Sequence, residues 1–187
     1  MKRSIIFFRI IVCSFIILLQ SQGVFCAQPA EEFPAAKFTL PAPDSSQAQK
    51  YLGLKAMEPF KVSDIKAKLA VIEFMSAFCP YCHANAPILN NIYKTIQGDS
   101  GLADVKVIAI AVGNEKAAVE AYKKQFKVPF PVLPDQDFAI SVSMNGVPTP
   151  TTMIVSTENG TVLFSHTGVI QDRDGFVKQL KALNKKK

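Results

Sequence analysis

Leu69-Ala70-Val71-Ile72-Glu73-Phe74-Met75-Ser76-Ala77-Phe78-Cys79-Pro80-Tyr81-Cys82 decides how the rest of the chain is read. Leu69 to Met75 is a short, mostly apolar run, which suits a parallel strand buried on both faces. It leads into Cys79 with Pro80 next, and proline is tolerated in the first turn of a helix because its missing N–H has no partner there anyway. Ile88, Leu89, Ile92, Tyr93 and Ile96 then continue a helical stripe. Pro87 lies inside that predicted helix and should kink it. The cysteine pair is therefore placed where a strand becomes a helix.

That placement has a chemical consequence. The thiolate is the nucleophile, and the partial positive charge at a helix N-terminus stabilises it. Cys79 is expected at that end, partly exposed. Cys82, one turn in, is expected to be more buried and within reach of Cys79. In such a pair Cys79 attacks a disulfide, a mixed disulfide forms, and Cys82 resolves it. Run in reverse, the pair donates a disulfide. The remaining cysteines do not suggest a stapled scaffold: Cys13 and Cys26 lie in or near a targeting segment.

The segment is an expected export signal over residues 1–27. Lys2, Arg3 and Arg9 precede an apolar stretch from Ile10 to Leu19, which is short for a membrane span of roughly 20 residues. Cleavage is the first reading; an uncleaved anchor and lipidation at Cys26 are the alternatives. Residues 28–35, rich in Pro, Ala, Gln and Glu, are expected to be a tether, and residues 36–187 the folded domain. Export places the chain in the periplasm, where disulfides persist. The net charge of +6 falls to +3 once the signal is removed, and Lys185, Lys186 and Lys187 account for that remainder. No basic patch is left for nucleic acid.

Outward from the pair, Phe38-Thr39-Leu40 reads as a short strand and residues 42–50 as loop. Lys61 to Lys68 suits a turn or short helix near Ser63 and Asp64. Val105 to Val112 is a second buried strand. Asn114 is a candidate cap for a helix through Lys127, with Ala118, Tyr122 and Phe126 inward. Phe130 to Leu133, Thr151 to Ser156 and Thr161 to Ser165 are strands, the last two joined by a hairpin at Glu158-Asn159-Gly160. Phe176, Val177, Leu180 and Leu183 share one face of a final helix that starts near Asp172. This order predicts an α/β fold with a mixed sheet and helices on both faces.

The stretch Ile72 to Cys82 resembles the active-site strand and helix of thioredoxins, and Pro87 matches that family's helix proline. Val147-Pro148-Thr149-Pro150-Thr151-Thr152 is similar to its cis-proline turn. Phe38 to Pro41 and Phe130 to Asp135 resemble the exported TlpA/ResA branch, related to the AhpC/TSA proteins. The resemblance implies a thioredoxin-like fold with a central mixed sheet and no bound cofactor. From the residues alone either Pro148 or Pro150 could be the turn proline; the resemblance selects Pro150. It implies that Thr149 offers its backbone to an extended substrate, beside Phe78, Pro80 and Tyr81 at the pair. It also implies that Glu73 is a buried acid beneath Cys82, serving its proton; an exposed strand-edge position is the plain alternative. Partners implied are proteins with disulfides or dithiols and a membrane electron donor. The branch favours a reductant of clients such as apocytochromes in cytochrome c maturation. Phe78 in place of the usual tryptophan, and the Pro80-Tyr81 dipeptide, keep a DsbA-like oxidase open.

Three other classes compete. Cys79 to His83 spells the C-x-x-C-H haem-attachment motif, but Pro87 and the Pro150 turn have no part in that reading. His83 itself reads most plainly as a surface residue of the helix, with modulation of the thiols as the alternative. Two thiolates could carry Cu(I) in a chaperone of the same fold, although related copper carriers space their cysteines with three residues. A peroxidatic cysteine needs P-x-x-x-T-x-x-C, and the corresponding places hold Ile72 and Ser76.

Overall fold

The computed structural model describes residues 39–185. The expected signal, the tether, Cys13, Cys26, Phe38, Lys186 and Lys187 lie outside the described residues. Five strands form one sheet: β1 (Leu69–Met75), β2 (Val105–Val112), β3 (Val132–Asp135), β4 (Thr151–Ser156) and β5 (Val162–Thr167). Their order is β3-β2-β1-β4-β5. β1 pairs with β2 and β2 with β3 in parallel; β4 pairs antiparallel with both β1 and β5. The sheet is mixed, as expected.

Every residue of β1 is buried because it is the central strand and both faces are covered. Leu69, Val71 and Met75 pack with α2 (Pro80–Gly98), α3 (Lys116–Phe126) and α5 (Arg173–Lys185), through Leu89, Ile92, Tyr122, Phe176 and Leu180. Ala70, Ile72 and Phe74 face the other layer, which includes Leu52 of α1 (Ser46–Leu52), Phe60, Val62 and Ile140 of α4 (Ala139–Ser143). Phe176, Val177, Leu180 and Leu183 form the buried stripe of α5, as their spacing predicts. Among the described residues no helix is long and apolar enough to cross a membrane.

Several local expectations are corrected. Ser46–Leu52 is helix rather than loop: Ser45 accepts a hydrogen bond from the Ala48 N–H, and Gly53 closes the C-terminus at φ 70°. A short stretch with a cap at each end holds a helix even without a long apolar period. Asn114 does not cap α3; Glu115 occupies that place, and Val119 and Tyr122 are its buried residues. The third strand starts at Val132 and extends through Pro134 to Asp135. Pro134 is tolerated because β3 is an edge strand. The Thr39-Leu40 segment forms only an isolated bridge between Leu40 and Phe60. Val62–Asp64 is a 3-10 turn within the stretch read as turn or short helix. α4 was not foreseen; Asp135, buried at the end of β3, accepts the N–H groups of Ile140 and Ser141 and so starts it.

Candidate active site

β1 ends at Met75, and the turn Ser76-Ala77-Phe78 delivers Cys79 to the N-cap of α2, with Pro80 at its first position. The turn is held from outside its own sequence. Asn114 Oδ1 accepts the Ala77 N–H at 2.7 Å, and Asn114 Nδ2 donates to Ser76 Oγ at 3.4 Å. His83 Nε2 lies 2.7 Å from the Ala77 carbonyl. A carbonyl can only accept, so that nitrogen carries the proton. The His83 ring also packs on Phe126, 4.8 Å between centroids. His83 is therefore not a free surface residue, and the nitrogen that a haem iron would need is engaged. Pro87 removes one N–H from α2, leaving the carbonyl four residues earlier, at His83, without its helical donor.

The two thiols are free and sit in different environments. Cys82 is fully buried; Cys79 is partly exposed. Burial alone would raise the Cys79 pKa, but hydrogen bonds from the Cys82 N–H, the Cys82 thiol, the Thr149 side chain and the Tyr81 N–H outweigh it and hold Cys79 below 9.0. Cys82 is pushed up to about 12, first by burial and then by the neighbouring Cys79 and Glu73 charges, against a hydrogen bond from the Ser76 N–H. That N–H lies 3.4 Å from the Cys82 sulfur. The pair is thus a partly exposed thiol with a lowered pKa beside a buried one with a raised pKa.

Glu73 sits beneath Cys82 on the central strand and is 2 % exposed, so the strand-edge alternative does not hold. Burial raises its carboxyl to about 7, partly offset by the Asn85 amide. Asn85 Nδ2 donates to Glu73 Oε1 at 2.8 Å, and Asn85 Oδ1 accepts the Ile170 N–H at 3.0 Å. Sequence reading passed over Asn85; a polar residue on the buried face of an otherwise apolar helix was the available signal. On the far side of the pair the Thr149–Pro150 peptide is cis. The Cys79 thiol donates to the Thr149 carbonyl at 3.4 Å. Phe78 and Tyr81, 74 % and 69 % exposed, flank Cys79, and Pro80 is exposed between them.

Fold and site together define a thioredoxin-like protein with an asymmetric C-x-x-C dithiol at the head of its second helix. The AhpC/TSA family profile matches residues 32–173, and the chain belongs to that family. Among curated proteins it is 30% identical over 112 residues to the thiol-disulfide oxidoreductase ResA of Bacillus subtilis, covering 60% of each chain. It is 27% identical over 114 residues to ResA of Geobacillus kaustophilus, covering 61% of this chain and 63% of that one. The chain thus matches less than two thirds of the length of these relatives. Among solved structures, StoA of Bacillus subtilis superposes with a TM-score of 0.57 at 18% identity, over 76% of this chain and 95% of that one. A secreted Mycobacterium tuberculosis disulfide oxidoreductase homologous to E. coli DsbE gives 0.59 at 18%, over 80% and 98%. At those identities the structural likeness establishes the thioredoxin-like fold.

Proposed function

We propose that this chain is an exported thiol–disulfide oxidoreductase that exchanges electrons with dithiols and disulfides of other proteins, acting in the periplasm as a reductant. The observation that carries the reading is the asymmetry of the pair. Cys79 is accessible and held low, whereas Cys82 is buried and pushed up to about 12. In the reducing direction the Cys79 thiolate attacks one sulfur of a client disulfide. The client S–S bond breaks, a mixed disulfide forms, and one client sulfur leaves as thiolate. Cys82 then loses its proton to Glu73 and attacks Cys79. The Cys79–Cys82 bond forms, the second client sulfur leaves, and the client is reduced while the protein is oxidised. Glu73 is suited to this task because its carboxyl, raised to about 7, takes and returns a proton near neutral pH.

Thr149 and Pro150 form one wall of the client groove, where an extended segment pairs with the Thr149 backbone. Phe78, Pro80 and Tyr81 form the apolar rim. The sequence resemblance to the TlpA/ResA branch favours the reducing direction, with clients such as apocytochromes in cytochrome c maturation and a membrane electron donor that recharges Cys79 and Cys82. Export rests on the expected signal over residues 1–27. The likeness to a secreted oxidoreductase agrees with it.

A redox titration of the purified protein in glutathione buffers, following thiols and visible spectrum together, tests the reading. A two-electron transition near about −270 mV supports a reductant, whereas one near about −120 mV would turn the assignment to a disulfide donor. A haem Soret band without titrating thiols would overturn it.

A further inference from the structure

A buried acid that takes a proton from a buried thiol must also lose that proton to water, and Glu73 has no exposed face through which to do so. The sheet supplies a way out. Glu73 on β1 is the direct cross-strand partner of Thr152 on β4, and Thr152 is the direct partner of His166 on β5. Directly paired residues project from the same face of a sheet, with Cβ atoms about 5 Å apart. The three side chains therefore form one row across three strands, on the side packed against α2 and α5.

The far end of the row lies nearest solvent. Glu73 and Thr152 are buried, and His166 is half-buried on β5, the edge strand. The Thr152 hydroxyl is buried with no hydrogen-bond partner among the described residues. Buried hydroxyls are nearly always paired, and an unpaired one calls for a reason. Here it stands between an acid and an imidazole. His166 Nε2 lies 3.2 Å from the Val169 carbonyl, so Nε2 carries the ring proton and Nδ1 is the basic nitrogen of the neutral ring. The chain that follows β5 is held at two adjacent residues: Asn85 Oδ1 accepts the Ile170 N–H, and the Val169 carbonyl accepts from His166 Nε2.

We propose that Thr152 and His166 form the proton exit of Glu73, a relay that connects the resolving cysteine to solvent. The proposal rests on the dithiol reading above. When Cys82 becomes the nucleophile, its proton passes to the Glu73 carboxylate. The Glu73 acid then gives a proton to the Thr152 oxygen while the hydroxyl's own proton moves to His166, and the imidazolium releases one proton to water. Glu73, Thr152 and His166 end as they began, with the Cys82 proton in bulk solvent. Other titratable groups do not offer the same route. Cys82 and Tyr122 face Glu73 from α2 and α3, but the Tyr122 hydroxyl donates to the Cys82 carbonyl. Near His166 in the chain, Asp172 caps the Gly175 N–H, and Arg173 and Asp174 pair with each other. On α5 the face toward this layer is apolar, with Phe176, Val177 and Leu180.

The test is stopped-flow release of thionitrobenzoate when the reduced protein meets the aromatic disulfide dithiobis-nitrobenzoate. The first equivalent reports attack by Cys79, and the second reports resolution by Cys82. Thr152→Val keeps the β-branched shape and removes only the hydroxyl. It is expected to leave the first phase unchanged, to slow the second about tenfold or more, and to raise Tm because a buried unpaired group is gone. Thr152→Ser is expected to keep the second phase. His166→Ala is expected to slow it, with recovery in added imidazole, which reaches the edge strand; imidazole is expected not to rescue Thr152→Val. An unchanged second phase in Thr152→Val, or equal slowing in Thr152→Ser, overturns the relay. Loss of two-phase release in the unaltered protein would instead remove the dithiol reading itself.

Discussion

Asn85 donates its side-chain N–H to Glu73 across 2.8 Å, joining the helix that carries the cysteines to the strand beneath them. Both residues are buried, and the other end of the Asn85 amide takes the Ile170 N–H. The amide thus fixes where the acid sits relative to Cys82 and anchors the chain leading into α5. Removing a buried partner exposes the groups that remain to the full desolvation cost.

Asn85→Ala is expected to destabilise the protein by about 2–3 kcal/mol, because both the Glu73 oxygen and the Ile170 N–H lose a partner. Its hydrogen bond lowers the Glu73 pKa, so its removal moves that carboxyl above about 7. Urea unfolding measures the first effect. Infrared difference spectra of the carboxyl band across pH measure the second, and an unshifted band would contradict the assigned geometry.

The two cysteines are expected to differ sharply in alkylation. Iodoacetamide at neutral pH is expected to modify Cys79 and spare Cys82, since one is accessible with a lowered pKa and the other is buried and pushed up to about 12. Cys79→Ser is expected to abolish disulfide exchange. Cys82→Ser is expected to accumulate mixed disulfides, visible by mass spectrometry of the trapped protein. Full exchange by Cys79→Ser would sink the central assignment.

Stability is expected to fall with rising pH through Glu73. Its carboxyl is raised from 4.5 to about 7, so the folded state keeps a proton that the unfolded chain has released. The stabilisation from this group is complete below about pH 4.5 and is lost as pH rises through about 7, a difference on the order of 3 kcal/mol. Glu73→Gln is expected to flatten that part of the profile. Thermal unfolding of the disulfide form, in which the thiols do not titrate, isolates the effect; identical slopes in the two proteins would count against it.

Gly113 ends β2 close to the site at φ 66°, and a Cβ there would lie 2.4 Å from the Phe138 ring. Gly113→Ala is expected to destabilise by about 1–2 kcal/mol from the left-handed backbone alone, with the ring clash added. Pairing it with Phe138→Ala relieves the clash and leaves the backbone cost. A double-mutant cycle on unfolding free energies separates the two.

Much of the frame is legible in the sequence. Leu69–Met75, Val105–Val112 and Thr151–Ser156 coincide with the strands expected from apolar runs between breakers. Cys79 and Pro80 mark the start of α2 by local rules of helix entry. Each of these signals is contained within a few adjacent residues, which is why it can be read along the chain.

The pairings between distant segments follow only from how the chain packs. Asn114 has the side chain of a helix cap, yet a buried N–H at Ala77, on another segment, takes it. Asn85 is an ordinary helical residue until Glu73 and Ile170 meet it. Thr152 closes the cis-proline motif and His166 belongs to none, yet neither is tied to the acid by sequence; only the register of β4 against β1 and β5 aligns them with Glu73. A buried polar atom must find its partner wherever the packed chain brings one, and that choice depends on sheet order and register rather than on neighbours in sequence. The chemistry of the cysteine pair could therefore be read along the chain, whereas the residues that serve its protons could be recognised only once the strands lay side by side.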